Sequence, residues 1–225
     1  YFHMHGDLKT ALEVIDDALN IYPGATEPLA FKARVSILVY HDIEKAMECV
    51  ALIADKQDLE YFYIVAEIMI VDNRVEDAEK YLEVNKQTLD EEDLEDYYLN
   101  VASLFADYEI YDLAAKWLAL SSDTECGDYL ELKGRIAMSN GSYQECKGIF
   151  DKLIDQDPYN SGYWNLLASA KYLSNDFGGS MECSDYSLAI APDDLDAILN
   201  KANCLMMIGN GKEAKSCYQR FKRLQ

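Results

Sequence analysis

The chain has 225 residues, half of them apolar, and a net charge of −21 from 41 acidic and 20 basic side chains. That supplies material for a folded core, while a surface so negative repels phosphate backbones and anionic bilayers. No apolar run approaches the roughly 18 residues needed to span a bilayer, no charged-then-apolar leader opens the chain, and six cysteines are too sparse for a disulfide scaffold. The expectation is an acidic cytoplasmic protein with no nucleic-acid and no membrane partner.

The chain is periodic. Gly6 to Pro23 and Gly141 to Pro158 align without a gap over 18 residues, and Pro158 and Pro192 stand 34 residues apart. In chain order, residues 1–23 read as half a repeat: one helix with Ala11, Leu12, Ile15 and Leu19, preceded by Tyr1 to His5 as the last turn of another. Residues 24–57 carry a first helix around Ala33 and a second around Ala46. The pattern returns as Ala66 and Ala78 in 58–91, and as Ala102 and Ala114 in 92–124. It continues as Gly134 and Cys146 in 125–158, Ala168 and Ser180 in 159–192, and Ala202 and Ala214 in 193–225. Each pair marks two helices joined by a short turn, with apolar positions three and four apart. A small residue at the crossing lets axes approach toward the close end of the usual range of about 8–10 Å. Prolines fall only between repeats, where a missing N–H costs little. A longer connection is expected around Thr88 to Glu95. The missing first helix and the missing initiator Met lead us to expect a piece of a longer protein. Further repeats or another domain are expected beyond Gln225.

These residues resemble the tetratricopeptide repeat family, best at Gly141-Ser142-Tyr143-Gln144-Glu145-Cys146 with Phe150 and Pro158, at Trp164, Leu167 and Ala168 with Pro192, and at Gly209 to Ala214 with Tyr218. The resemblance covers the whole chain as about six and a half repeats. It implies an all-α fold, a right-handed α-solenoid of helix–turn–helix repeats forming one array over residues 1–225.

The sequence carries no recognisable catalytic motif. The cysteines form no CxxC and stand at no zinc spacing from His3, His5 or His41. Cys49, Cys183 and Cys217 share one repeat position and read as packing, while Cys126 reads as an exposed loop thiol. The run Asp90 to Asp96 lacks the glycine and ligand spacing of a calcium loop and reads as acids at a helix start. Gly178-Gly179 follows no strand and makes no phosphate cradle. No metal, no cofactor and no enzymatic activity are expected. Seventeen tyrosines, with Tyr61, Phe62, Tyr63, Tyr97 and Tyr98 among the clustered aromatics, read mostly as packing between repeats.

In the family, first helices line a concave groove that accepts an extended peptide or a helix. The resemblance places groove positions three before, one after and four after each crossing residue. Carried onto this chain, they are Ala30, Arg34 and Ile37; Tyr63, Glu67 and Ile70; and Leu99, Ser103 and Ala106. The later repeats give Glu131, Arg135 and Met138; Asn165, Ser169 and Tyr172; and Leu199, Asn203 and Met206. The Lys, Asn and Arg set that grips a peptide carboxylate in one subgroup is not present in order. Lys32, Lys133 and Lys201, beside the crossings, read as stems packed on the helix with their heads in water.

The implied function is a non-catalytic scaffold or adaptor whose groove binds a protein or peptide segment, apolar or basic given the acidic surface. Self-association through a terminal helix is a further expectation. Two alternatives stand beside it: a sensor or assembly segment of a larger regulatory protein, and an enzyme built on a helical scaffold.

Overall fold

The computed structural model describes residues 8–224; the expected helical turn at Tyr1 to His5 lies outside them. The described residues contain helices and no strand. The contacts divide the chain into two compact units, residues 1–104 and 105–225.

In the first unit, α1 (Leu8–Ile21) packs on α2 (Thr26–Leu38), which pairs with α3 (Ile43–Leu52). α4 (Leu59–Val71) pairs with α5 (Val75–Asn85) and also packs on α2 and α3. A 3-10 turn at Lys86–Thr88 leads through the expected long connection to α6 (Leu94–Asp107). The acidic run opens that helix only in part, since Glu95 and Asp96 lie in its first turn and Asp90 to Asp93 precede it. In the second unit, α7 (Tyr111–Leu118) packs on α8 (Gly127–Ser139), which pairs with α9 (Tyr143–Gln156). α10 (Ser161–Leu173) pairs with α11 (Phe177–Ile190), and α12 (Leu195–Met207) with α13 (Gly211–Leu224).

Local chemistry sets the helix starts. Side chains of Asp42, Asp58, Asn160, Asp176 and Asp194 accept backbone N–H bonds at the starts of α3, α4, α10, α11 and α12, satisfying donors a helix start leaves open. Cys126, expected as an exposed loop thiol, is instead half-buried, its Sγ accepting from the Tyr129 N–H at the start of α8.

Turns inside the repeats share one device. His41, Asn73, Glu109, Gly141, Asn175 and Gly209 each have φ between 53° and 83°, and each stands five residues before the small residue of the second helix. In five of these turns the following N–H donates to the carbonyl five residues back, as Ser142 does to Ala137 at 2.9 Å. The turn at His41 is one residue longer, with Asp42 N–H donating to Ser36. A left-handed residue after the helix lets the chain reverse while using carbonyls the helix end leaves free.

The small positions read from the sequence sit at the centre of the packing. Ala33, Ala46, Ala66, Ala78, Ala102, Ala114, Cys146, Ala168, Ser180, Ala202 and Ala214 have no exposed surface, and Gly134 is buried. One apolar cluster in the first unit gathers Leu29, Ala33, Val50, Ile53, Ile64 and Ile68. Another in the second gathers Leu130, Phe150, Leu153, Leu167 and Cys183. Cys217 shares its position with Cys49 and Cys183 but is only half-buried, because α13 buries little beyond Ala214.

Candidate functional site

The candidate groove positions fall on the first helix of each repeat, and the two units treat them differently. In the first unit much of the set is consumed by packing. Ala30, Ile37 and Ile70 are buried apolar side chains. Arg34 on α2 bridges to α4: its Nε donates to Glu67 Oε2 at 2.7 Å, and its Nη1 pairs with Glu60. Glu67 is buried. Burial works against the Arg34 charge, but the Glu67 and Glu60 carboxylates outweigh it and hold the guanidinium pKa above its ordinary value. Arg34 is therefore an internal tie between repeats. Tyr63 stacks on Tyr97 with ring centroids 5.8 Å apart, and Tyr97 Oη donates to the Leu82 carbonyl at 2.9 Å. Burial raises the pKa of both phenols. Leu99 and Ser103 on α6 are half-buried.

In the second unit the positions are more open. Ala106 is buried. Arg135 on α8 pairs with Asp107 at 2.8 Å, and Glu131, one turn before it, has its pKa raised by burial, with Arg135 pulling the other way. Met138 is half-buried against the apolar cluster. On α10, Asn165 is buried and donates to Asp194 Oδ2 at 2.7 Å. Ser169 accepts from Asn200 at 3.2 Å, and Tyr172 meets Phe177 at 5.6 Å between centroids. On α12, Asn203 accepts from Tyr218 Oη at 2.6 Å, Leu199 is half-buried and Met206 is more than half exposed.

Sequence reading missed the partners in these pairs, above all Glu60, Asp107 and Asp194. It read the lysine heads as lying in water but gave them no partners: at the exposed surface Lys32 pairs with Asp16 at 2.7 Å, and Lys201 pairs with Asp185. Both acids stand sixteen residues before their lysine, a recurrence that the sequence does carry. Lys133, the third, is exposed. It edges an open hollow of about 230 Å³ whose lining includes Leu118, Tyr129, Ile136 and Glu145. Among the described residues no group of three or more His, Cys, Asp or Glu is placed to hold a metal. No described helix is long and apolar enough to cross a membrane.

No family model matches the sequence, and no curated protein matches it either. Solved structures do. A tetratricopeptide repeat protein from Parabacteroides merdae superposes with a TM-score of 0.68 at 13% identity, over 97% of this chain and 87% of that one. The Cut9-Hcn1 hetero-tetramer of the APC/C gives 0.64 at 14% identity, over 96% of this chain and 44% of that one. MamA from Desulfovibrio magneticus RS-1 gives 0.57 at 12% identity, over 74% and 94%. At such identities the likeness is one of fold. The chain is an all-α protein with a tetratricopeptide-like repeat fold.

Proposed function

We propose that the chain is a non-catalytic scaffold that binds a peptide or helix of another protein along the first helices of its repeats. The reading is supported most by the second unit, where Ser169, Tyr172, Leu199, Asn203 and Met206 follow one helical phase on α10 and α12 and keep exposed or half-exposed surface. These side chains mix apolar contact area with hydrogen-bonding groups, the composition of a protein-binding face. The Cut9-Hcn1 neighbour is itself solved as an assembly with another protein, which fits the same role. The net charge of −21 favours a segment with basic residues among its apolar ones, because long-range attraction speeds encounter. In the first unit Arg34 is spent on Glu60 and Glu67, so that region offers a partner little unpaired positive charge.

The test immobilises the chain and captures proteins from a lysate of its source at low and high salt. It is repeated with Tyr172→Ala/Leu199→Ala after circular dichroism has shown equal helix content. A protein held by the wild type at both salts and lost by the variant supports the groove. Equal capture by both overturns it.

A further inference from the structure

Lys133 on α8 has counterparts in two other repeats, Lys32 on α2 and Lys201 on α12, each one residue before its crossing residue. Lys32 pairs with Asp16 on α1, and Lys201 with Asp185 on α11, in both cases an acid of the preceding helix. Those acids stand five residues after the small residues Ala11 and Ser180. On α7 the fifth residue after Ala114 is Ala119. Among the described residues Lys133 has no ion-pair partner. Glu145 is no substitute: Glu213 holds its position in the last repeat, and there Lys201 still pairs with Asp185.

A second difference falls beside the first. The residue after the small one is Leu12 on α1 and Met181 on α11, but Ala115 on α7. α7 also ends four residues past Ala114, whereas α1 and α11 run ten residues past Ala11 and Ser180. The path from Ala114 to Gly134 is two residues shorter than its counterparts, yet Ala119 and Lys133 still meet, because both line the hollow of about 230 Å³. Ala115 lines it too, with Leu118, Tyr129 and Ile136 as further apolar surface. A cavity of roughly 150 Å³ already admits benzene, so there is room here for a side chain of leucine or methionine size. At one place, then, this repeat lacks a long apolar side chain and a carboxylate four residues apart on one helix face. It keeps the lysine that such a carboxylate pairs with in the other two.

We infer that a helix of a partner protein docks here, setting an apolar side chain into the hollow and an acidic one, four residues away, against Lys133. Asn140 and Ser142 on the lining carry N–H and O–H donors for the same carboxylate. The apolar contact is essential, because a chain of net charge −21 repels a free carboxylate and one exposed ion pair contributes little. None of the groove positions lines the hollow. It selects for acid where the groove selects for base, so the proposal does not rest on the groove.

The probe is an alanine-based helical peptide carrying Leu and Asp four residues apart, titrated into the isotope-labelled chain and followed by NMR. Amide signals of Ala119, Lys133 and Ile136 should shift saturably. A peptide with Lys in place of that Asp should bind about fivefold more weakly, since attraction becomes repulsion. Lys133→Glu should weaken the Asp peptide by a similar factor and favour the Lys peptide. Ala115→Leu/Ala119→Asp, which restores the kinds of side chain the other repeats carry, should abolish the shifts. Lys133 and Ala119 are exposed and Ala115 is half-exposed, and circular dichroism checks that each variant keeps the helix content of the wild type. The absence of saturable shifts in the wild type overturns the proposal. So does equal binding of the two peptides, or an undiminished response from the restored variant. Shifts produced by hexanoate but not by the Asp peptide overturn it as well, and would make the hollow a small-molecule site.

Discussion

A Cβ on residue 134 would stand 2.6 Å from Cζ of Phe150 and 2.9 Å from its Cε1. Where the crossing residue is Ala33, Ala66, Ala102 or Ala168, the residue matching Phe150 is the smaller Val50, Leu82, Leu118 or Ser184, and beside Ala202 it is Tyr218, which is only half-buried where Phe150 is wholly buried. In this repeat the wholly buried Phe150 ring fills the space that a methyl group on residue 134 would need. Gly134→Ala gains helix propensity, but it drives a methyl into a fully buried ring and should destabilise the chain by about 1–3 kcal/mol. Phe150→Leu in the same chain should recover part of the loss. Urea unfolding of the two single variants and the double checks this, and additive effects would contradict it.

Glu109 sits at φ 59° with no compensating glycine or asparagine. The left-handed conformation costs an ordinary L-residue roughly 1–2 kcal/mol. Replacing it by Gly also loosens the unfolded chain, so Glu109→Gly should stabilise by about 0.5–1 kcal/mol net. Asn73→Gly should gain less, because asparagine already tolerates the turn. Thermal melts of both variants give the ranking.

Removing the arginine that ties α2 to α4 leaves Glu67 buried without its cation. Arg34→Met alone should cost about 2–4 kcal/mol, toward the lower end because Arg34 is partly exposed. Arg34→Met/Glu67→Gln should cost less than the single change, since it removes the unpaired charge as well. A double-mutant cycle read by urea unfolding measures the difference.

Tyr63, Tyr81 and Tyr97 make the first unit sensitive to base. Burial pushes the Tyr81 phenol up to about 12 and raises Tyr63 and Tyr97 as well. The unfolded chain loses these protons near pH 10 while the folded chain keeps them, so stability is full below pH 10. It falls as pH rises from 10 through the folded values. Tyr81→Phe should flatten that fall between pH 10 and 12. Tyrosinate absorbance and helix signal, followed together through a base titration, should change in step for the wild type.

Much of the fold was legible because one physical constraint recurs. Two helices crossing closely tolerate only a small residue, so Ala, Gly, Ser or Cys marks every crossing, whatever else varies. The turn residues were less legible. Asn, Gly and His reverse a chain readily, but nothing about Glu109 announces a positive φ. The ties across repeats were hidden for another reason: with 41 acids, no pattern of charge singles out Glu67 for Arg34 at a separation of 33 residues. The groove positions were placed by helical phase, and phase alone does not say how closely the next helix covers them. Ile37 and Ile70 are buried for that reason, while Tyr172 and Leu199 keep surface.

Four of the six thiols act as clocks. Cys49, Cys146, Cys183 and Cys204 are buried, and burial raises their pKa, that of Cys146 to about 11. A thiol held neutral and out of water hardly reacts with an alkylating reagent until its surroundings open. The four stand on α3, α9, α11 and α12, so timed alkylation followed by mass spectrometry records when each stretch of helix opens. In a repeat protein, whose stability is built from neighbouring contacts, those times read out the order in which the array comes apart, with no label engineered into the chain.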